Sequence, residues 1–159
     1  LGQVMSKGDR MDYVIQKAVE LGVSNIQLLT SERCEMRLKY ERDQKKIEHW
    51  QAIAIAACEQ CGMNRIPQIL APISLQDWLA SDLPSTKLVL APNKEQIDVL
   101  ANTTTDIALL IGPEGGLSDA EISLSNQTGF INWCIGNRVL RTETAPIVAL
   151  SILNYNVTG

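Results

Sequence analysis

The most informative chemistry of this 159-residue chain lies in two short glycine-containing segments. Residues 111–118 read I-G-P-E-G-G-L-S, and residues 135–150 read I-G-N-R-V-L-R-T-E-T-A-P-I-V-A-L. Each begins with a short apolar run typical of a strand, continues into a charged turn and ends at a helix start. Ligands of open α/β sheets collect beyond the carboxyl ends of strands, so the pair predicts one small ligand held between the two turns.

The glycines of the first turn favour close approach of the backbone to a flat ligand. Gly115 and Gly116 permit positive φ and lack a Cβ, which removes two obstacles to that approach. Neither the G-x-x-x-x-G-K-[ST] phosphate loop nor the G-x-G-x-x-G dinucleotide motif is present. The turn is therefore predicted to bind a ligand, but not through phosphate groups. The alternative is an ordinary tight turn between strand and helix.

Charged side chains are dense in the second turn. Arg138 and Arg141 flank two apolar residues, and Glu143 follows between two threonines that can cap the next helix. A purely structural loop gains little from so many charges beside a helix start. Arg141 and Glu143 are therefore predicted to be functional, although Glu143 could instead only favour the helix start electrostatically.

The elements that position these turns alternate between strand and helix. The continuous apolar strands predict a mostly parallel sheet covered by helices on both faces, in one α/β domain. The pattern predicts strands at 2–5, 25–29, 67–70, 87–91, 107–111 and 131–135, and helices at 10–21, 40–61, 74–80, 95–100, from a capping box at 118–121, and at 144–154.

Composition limits the classes of partner. With 14 basic and 18 acidic residues the net charge is −4, so binding to nucleic acid requires a local basic patch or help from another domain. No apolar run approaches the roughly 20 residues that span a bilayer. The chain begins without Met in strand-like sequence, which we interpret as the removal of upstream residues.

The four cysteines, in a chain without a secretion signal, favour a reduced, cytosolic protein. The C-x-x-C pair at 58–61 lies inside a helical run and has no second ligand pair, so two small buried helix residues are predicted there in place of a metal or redox site.

Several short motifs, in this order along the whole chain, carry a resemblance to a known family. They are K-G-D-R at 7–10, K-A-V-E-L-G at 17–22, S-E-R at 31–33, E-Q at 59–60, I-P at 66–67 and the two turns. Together they resemble the ribosomal RNA small-subunit methyltransferase E (RsmE) family, a branch of the SPOUT methyltransferases.

The resemblance implies transfer of a methyl group from S-adenosylmethionine to N3 of one uridine in 16S rRNA of the small ribosomal subunit. It implies a SPOUT-type α/β fold with a C-terminal trefoil knot and a cytoplasmic homodimer. The dimer would pack through helix 145–153, whose alternative role is an ordinary core helix. It also implies that 1–159 is the catalytic domain alone, without the family's N-terminal PUA- or OB-like RNA-binding domain. Two other functions remain open, a SPOUT methyltransferase acting on tRNA or another base, and a non-catalytic RNA-binding or ribosome-assembly module.

Site residues follow from the same resemblance, and no metal is expected. Glu114 and Glu143 are possible bases, while Arg10 and Arg141 are possible stabilisers of the uridine anion. The implied cofactor-binding residues are Leu90, Ala91, Pro92, Ile111, Gly112, Pro113, Glu114, Gly115, Gly116, Ile135, Gly136, Asn137, Val139, Leu140, Thr144 and Ala145. The implied RNA-binding residues are Lys7, Arg10, Lys17, Arg33, Gln60, Arg65 and Arg138.

Overall fold

The computed structural model describes residues 1–34, 36, 40–92, 106–136 and 139–158, with the backbone alone at 40–43 and 156–158. This part of the chain forms six strands and five helices. The strands are β1 (Gly2–Val4), β2 (Asn25–Thr30), β3 (Gln68–Ser74), β4 (Thr86–Leu90), β5 (Ile107–Ile111) and β6 (Ile131–Trp133). The helices are α1 (Arg10–Glu20), α2 (Tyr40–Cys61), α3 (Leu75–Leu79), α4 (Asp119–Gln127) and α5 (Ala145–Thr158).

The six strands form one sheet in the order β3-β2-β1-β5-β4-β6, and all of its pairings are parallel. The predicted parallel sheet is therefore confirmed. Parallel pairing brings the carboxyl ends of all strands to the same edge of the sheet. Because β4 lies between β5 and β6, the segments that follow these three strands meet at one place.

Both faces of the sheet are packed, as the continuous apolar strands predicted. Leu109 and Ile111 of β5 belong to a cluster with Ala149 of α5. Leu110, which points to the opposite face, belongs to the larger core cluster with Trp78 of α3. A strand buried on both faces has no place for polar side chains, which explains the I-A-L-L-I sequence of β5.

Strand β3 runs further than predicted, to Ser74 instead of residue 70, and includes Pro72. Its pairing with β2 shifts register between Gln27 and Leu29, so Pro72 lies at a bulge. The side-chain Nε2 of Gln27 donates to the carbonyl of Ala71 there, at 2.7 Å. Proline is tolerated because β3 is an edge strand of the described sheet and a bulge does not need its missing N–H.

The helix termini follow the local sequence signals closely. The predicted capping box of α4 is confirmed, since the amide of Glu121 donates to Ser118 Oγ at 3.2 Å and the amide of Ser118 donates to Glu121 Oε1 at 3.0 Å. Helix α5 extends to Thr158, beyond the predicted end at 154.

The helix predicted at 95–100 lies outside the described residues. No helix in the described part of the chain is both long and apolar enough to cross a membrane.

The prediction that Cys58 and Cys61 are both buried is wrong for Cys61, which is exposed. Helix α2 ends at Cys61, and Gly62, with a φ of 72°, reverses the chain. The returning segment covers Cys58, whose Sγ lies 3.4 Å from the carbonyl oxygen of Met63 and 3.5 Å from that of Arg65. Cys61 remains on the uncovered side of the last helical turn.

Candidate active site

A cavity of about 930 Å³ lies at the carboxyl ends of β4, β5 and β6. Its walls come from the segments after these strands, from the turn before α5 and from Arg10 at the start of α1. The order of the sheet brings together segments that are far apart in sequence. The two turns that the sequence analysis singled out share this one cavity, within the volume range of small-ligand sites.

Most residues that the resemblance assigned to a cofactor line this cavity. They are Leu90, Ala91, Pro92, Ile111, Gly112, Pro113, Glu114, Gly115, Gly116, Ile135, Gly136, Val139, Leu140 and Ala145. Thr144 is not part of the wall, and its amide donates to the carbonyl of Arg141 at 2.9 Å as α5 begins. Asn137 and Arg138 lie outside the described residues.

Sequence reasoning did not assign several other residues of the wall to the site. Some directly follow a predicted strand or turn, so adjacency to the motifs was an available signal. Thr142 lay inside a motif and was interpreted only as a helix cap. The unassigned wall residues are Leu117, Asp119, Ile122, Trp133, Cys134 and Thr142.

The positive φ expected at two glycines of the first turn occurs at one of them. Gly116 has a φ of 76°, and its amide donates to the carbonyl of Pro113 at 2.8 Å, which closes the turn. Gly115 does not have positive φ, and a Cβ there would lie 3.6 Å from Arg33 Cβ, an ordinary contact. At Gly112 a Cβ would lie 3.0 Å from Leu117 Cγ. The fold itself therefore requires glycine at Gly112, for space, and at Gly116, for its positive φ, while the close approach of Gly115 to a ligand stays a prediction.

Arg10 lies between the two carboxylates that the resemblance offered as bases. Its Nη1 donates to Glu114 Oε1 at 2.8 Å, and its Nε lies 3.8 Å from Glu143 Oε2. The backbone amide of Lys7 also donates to Glu114 Oε1, at 3.2 Å. The K-G-D-R segment before α1 therefore holds the Glu114 side chain in place at the edge of the cavity.

The pKa of Glu114 lies below its ordinary value of 4.5. Burial alone would raise it, but hydrogen bonds from its own backbone amide, from Arg10 and from the Lys7 amide, together with the positive charge of Arg10, outweigh that effect. Glu114 is consequently a carboxylate at neutral pH, and its Oε1 accepts hydrogen bonds from both Arg10 and the Lys7 amide.

Replacing Glu114 by glutamine should lower the melting temperature at neutral pH, and the difference should shrink as the pH falls. A folded-state pKa below the unfolded one stabilises the protein above the unfolded value of about 4.5, and that stabilisation is lost as the pH falls through the folded-state pKa. Thermal denaturation of both proteins from neutral to acidic pH measures this. The exposed Glu48→Gln variant on α2 is the control and should follow the wild type. A deficit of E114Q that grows with acidity would contradict the assignment.

Arg141 is exposed at the wall of the cavity, and its guanidinium makes no hydrogen bond or ion pair to any other described residue. Its backbone is well fixed, because its carbonyl accepts from the amides of Thr144 and Ala145, each at 2.9 Å. The turn before α5 therefore presents a cation that is available for a ligand or substrate.

The residues predicted to bind RNA fall into two groups. Arg33 Nη1 donates to the carbonyl oxygen of Gly115 at 3.1 Å, so Arg33 lies beside the cavity. Arg10 and the backbone of Lys7 belong to the same group, because both donate to Glu114. Lys17, Gln60 and Arg65 form the second group and show no contact with cavity residues in the described part of the chain. Lys17 pairs with Glu20 on α1, at 3.2 Å. Gln60 is exposed in the last turn of α2, and Arg65 is exposed just after this helix.

The charges of the wall do not suit a polyphosphate. Among the described residues of the wall, two guanidinium groups, of Arg10 and Arg141, lie with three carboxylates, of Glu114, Asp119 and Glu143. Apart from Thr142 and Cys134, the rest of the described wall consists of apolar side chains and the backbone of the turns. Such a surface favours a largely apolar ligand that is neutral or cationic at its polar end.

Comparison with known proteins agrees with this geometry. Residues 1–154 match the model of the RNA methyltransferase domain family. The ribosomal RNA small subunit methyltransferase E of Buchnera aphidicola subsp. Schizaphis graminum is 44% identical over 155 residues, which cover 96% of this chain and 63% of that protein.

Two solved structures share the fold closely. A putative methyltransferase from Legionella pneumophila, in complex with S-adenosylmethionine, has a TM-score of 0.92 at 44% identity and 97% coverage of this chain. The ribosomal RNA small subunit methyltransferase E of Neisseria gonorrhoeae, bound to S-adenosylmethionine, has a TM-score of 0.89 at 38% identity and the same coverage. This chain covers 64% of each of those two chains.

These relatives confirm both the resemblance to ribosomal RNA small-subunit methyltransferases E and the α/β fold that it implies. The family model extends over nearly the whole chain, including every segment that lines the cavity. The chain belongs to the RNA methyltransferase domain family.

Proposed function

We propose that this protein is an S-adenosylmethionine-dependent methyltransferase that methylates N3 of a uridine in 16S rRNA of the small ribosomal subunit. One observation carries the proposal, the single cavity formed by both turns at the ends of β4, β5 and β6. Relatives with this fold are bound to S-adenosylmethionine, and relatives of similar sequence are named for the small-subunit rRNA. The uridine and its N3 atom come from the family resemblance.

The cavity fits S-adenosylmethionine in size and in charge. The molecule has a flat base, a sugar and a cationic tail without phosphates, and the described wall combines apolar residues with more carboxylates than guanidinium groups. Gly112 and Gly116 leave backbone uncovered at the first turn, which suits close contact with a flat ring. The backbone of 90–92, 112–116, 135–136 and 139–140 would hold this group.

The bound cofactor supplies a methyl group that is already electrophilic on its sulfonium. The chain's own residues must then hold the uridine in line with that methyl and remove the N3 proton. Arg141 has no other partner among the described residues, so we assign it to the uridine carbonyl oxygens, where charge develops as N3 loses its proton.

Of the two carboxylates offered as bases, we assign the role to Glu143. Glu114 accepts hydrogen bonds from Arg10 and from the Lys7 amide, and its lowered pKa makes it a weak base. Among the described residues, the Glu143 carboxylate has only a long 3.8 Å contact with Arg10, and it lines the cavity beside Arg141. In this assignment Arg10 and Glu114 form a fixed pair that shapes the wall.

The larger assembly is also part of the proposal. We assign substrate RNA to the side of the cavity where Arg10, Arg33 and the Lys7 segment lie, with further affinity from the RNA-binding domain that the resemblance implies. Homodimerisation is assigned to α5, which packs Ala145, Ala149 and Leu153 on the sheet yet exposes Tyr155 by 73%. A C-terminal trefoil knot and a cytoplasmic location follow from the resemblance.

Calorimetric titration with S-adenosylhomocysteine tests the proposed cofactor. We expect saturable binding, and no binding of ATP under the same conditions, because the described residues of the wall include more carboxylates than cations. A folded protein that binds ATP but not S-adenosylhomocysteine would overturn the proposal. A folded protein that binds neither would favour a non-catalytic RNA-binding module.

A further inference from the structure

A cluster of three buried polar side chains lies directly behind the cavity. Gln3 and Ser6 are fully buried, and Thr142 is 6% exposed. Gln3 belongs to the central strand β1, where its neighbours in register are Leu28 of β2 and Ile111 of β5. A polar side chain at such a position loses its hydration, and this loss must be offset by hydrogen bonds.

The hydroxyl of Thr142 joins the two turns of the site. It donates to the carbonyl oxygen of Gly112 at 2.9 Å, across 30 residues of sequence. It also accepts longer hydrogen bonds of 3.4 Å from Gln3 Nε2 and from Ser6 Oγ. One donor and two lone pairs are all that a hydroxyl has, so the hydrogen-bonding capacity of Thr142 is fully used.

The cluster is not an efficient source of stability. Gln3 Oε1 is buried and has no hydrogen-bond partner in the described part of the chain. An unpaired buried acceptor is destabilising, and an apolar residue of similar shape would avoid that penalty. Where a sequence departs from the apolar pattern of its core without a gain in stability, the departure points to a functional constraint.

The position of the cluster identifies that constraint. Thr142 lies between Arg141 and Glu143, which both line the cavity, while Gly112 begins the opposite turn. The bond between Thr142 and Gly112 therefore fixes one wall of the cavity relative to the other. Gln3 and Ser6 hold the Thr142 hydroxyl from β1 and the residues after it.

We infer that Gln3, Ser6 and Thr142 are positioning residues, which set the distance between the Gly112 turn and the turn that carries Arg141 and Glu143. None of the three needs to touch the reacting atoms. The identity of the ligand that requires this distance rests on the proposed function. The hydrogen bond that links the two turns is independent of that function.

Two variants separate positioning from ordinary core stability. Gln3→Met removes the unpaired acceptor together with the hydrogen bonds from Nε2 to the Val4 carbonyl, at 3.0 Å, and to Thr142, and it keeps a flexible side chain of similar length, so its melting temperature should stay close to that of the wild type. Its dissociation constant for S-adenosylhomocysteine should nevertheless rise by about fivefold. Thr142→Val should raise that constant by about tenfold, and Thr142→Ser, which keeps the hydroxyl, should restore most of the affinity.

Hydrogen exchange of the ligand-free protein provides the readout that is independent of the cofactor. We expect faster exchange of the amides of 112–117 and 142–145 in T142V and Q3M, with exchange in α1 and α2 unchanged. If wild type binds no S-adenosylhomocysteine, the proposed function fails, and the exchange data still decide the positioning role.

Two results would overturn the inference. One is unchanged exchange in these turns for both variants. The other is a Q3M protein whose melting temperature falls in step with its affinity, because this would mark Gln3 as an ordinary structural residue.

Discussion

Replacing Gly112 by valine is expected to weaken binding of S-adenosylhomocysteine by about a hundredfold or more, which corresponds to at least 2.7 kcal/mol, roughly twice the 1.4 kcal/mol of a tenfold change. A Cβ at this position would lie 3.0 Å from Leu117 Cγ, 3.2 Å from the Leu117 amide nitrogen and 3.4 Å from the carbonyl carbon of Gly116. Two of these atoms are backbone, so the turn itself must shift, and this turn forms one wall of the cavity.

Ala56→Val is the matched control for G112V, because it also introduces a valine side chain but lies exposed on α2 and does not line the cavity. We expect A56V to bind within about threefold of the wild type. Calorimetry measures both variants, and circular dichroism verifies that each is folded. Wild-type affinity in a folded G112V protein would remove this turn from the cofactor site.

Replacing Arg141 by alanine is expected to reduce methyl transfer by about two to three orders of magnitude, the effect of removing one preorganised donor at a developing anion. Cofactor affinity should stay within about threefold, since the proposal places Arg141 on the uridine. The guanidinium has no other partner among the described residues, so its loss breaks no internal bond. Calorimetry with S-adenosylhomocysteine and methyl transfer to unmodified 30S subunits measure the two quantities, in protein expressed from the complete gene.

Lys46→Ala is the control for R141A, because Lys46 is an exposed residue on α2 that does not line the cavity. It should transfer methyl at the wild-type rate. Arg141→Lys should recover part of the lost rate, since it keeps the charge but not the planar fork of donors. An R141A protein that loses cofactor affinity and keeps its rate at saturating cofactor would place Arg141 on the cofactor instead.

Much of the fold was accessible from the sequence because its signals are local. The I-A-L-L-I run of β5 is buried on both faces, and the Ser118–Glu121 capping box marks the start of α4. The order of the strands was not accessible, because it depends on which crossovers pack best and leaves no periodic trace. Cys61 was mispredicted for a related reason. Burial at this helix end depends on where the chain reverses at Gly62, and the returning segment covers Cys58 but leaves Cys61 exposed.

The site was predicted in two unequal steps. Residue types and spacing alone predicted one small ligand bound between two turns that do not suit phosphates. A single cavity does join those turns. The methyl donor, the uridine and the individual roles came from the family resemblance. Neither step could predict contacts between segments that are distant in sequence. Neither Thr142 bound to Gly112 nor Arg33 bound to the Gly115 carbonyl has a signal in local sequence.

The most direct test of the central claim is mapping of N3-methyluridine in 16S rRNA from a strain that lacks the gene. We predict that one N3-methyluridine present in the parent strain disappears from the deletion strain and returns when the complete gene is supplied. Persistence of every N3-methyluridine of 16S rRNA in the deletion strain would contradict the account.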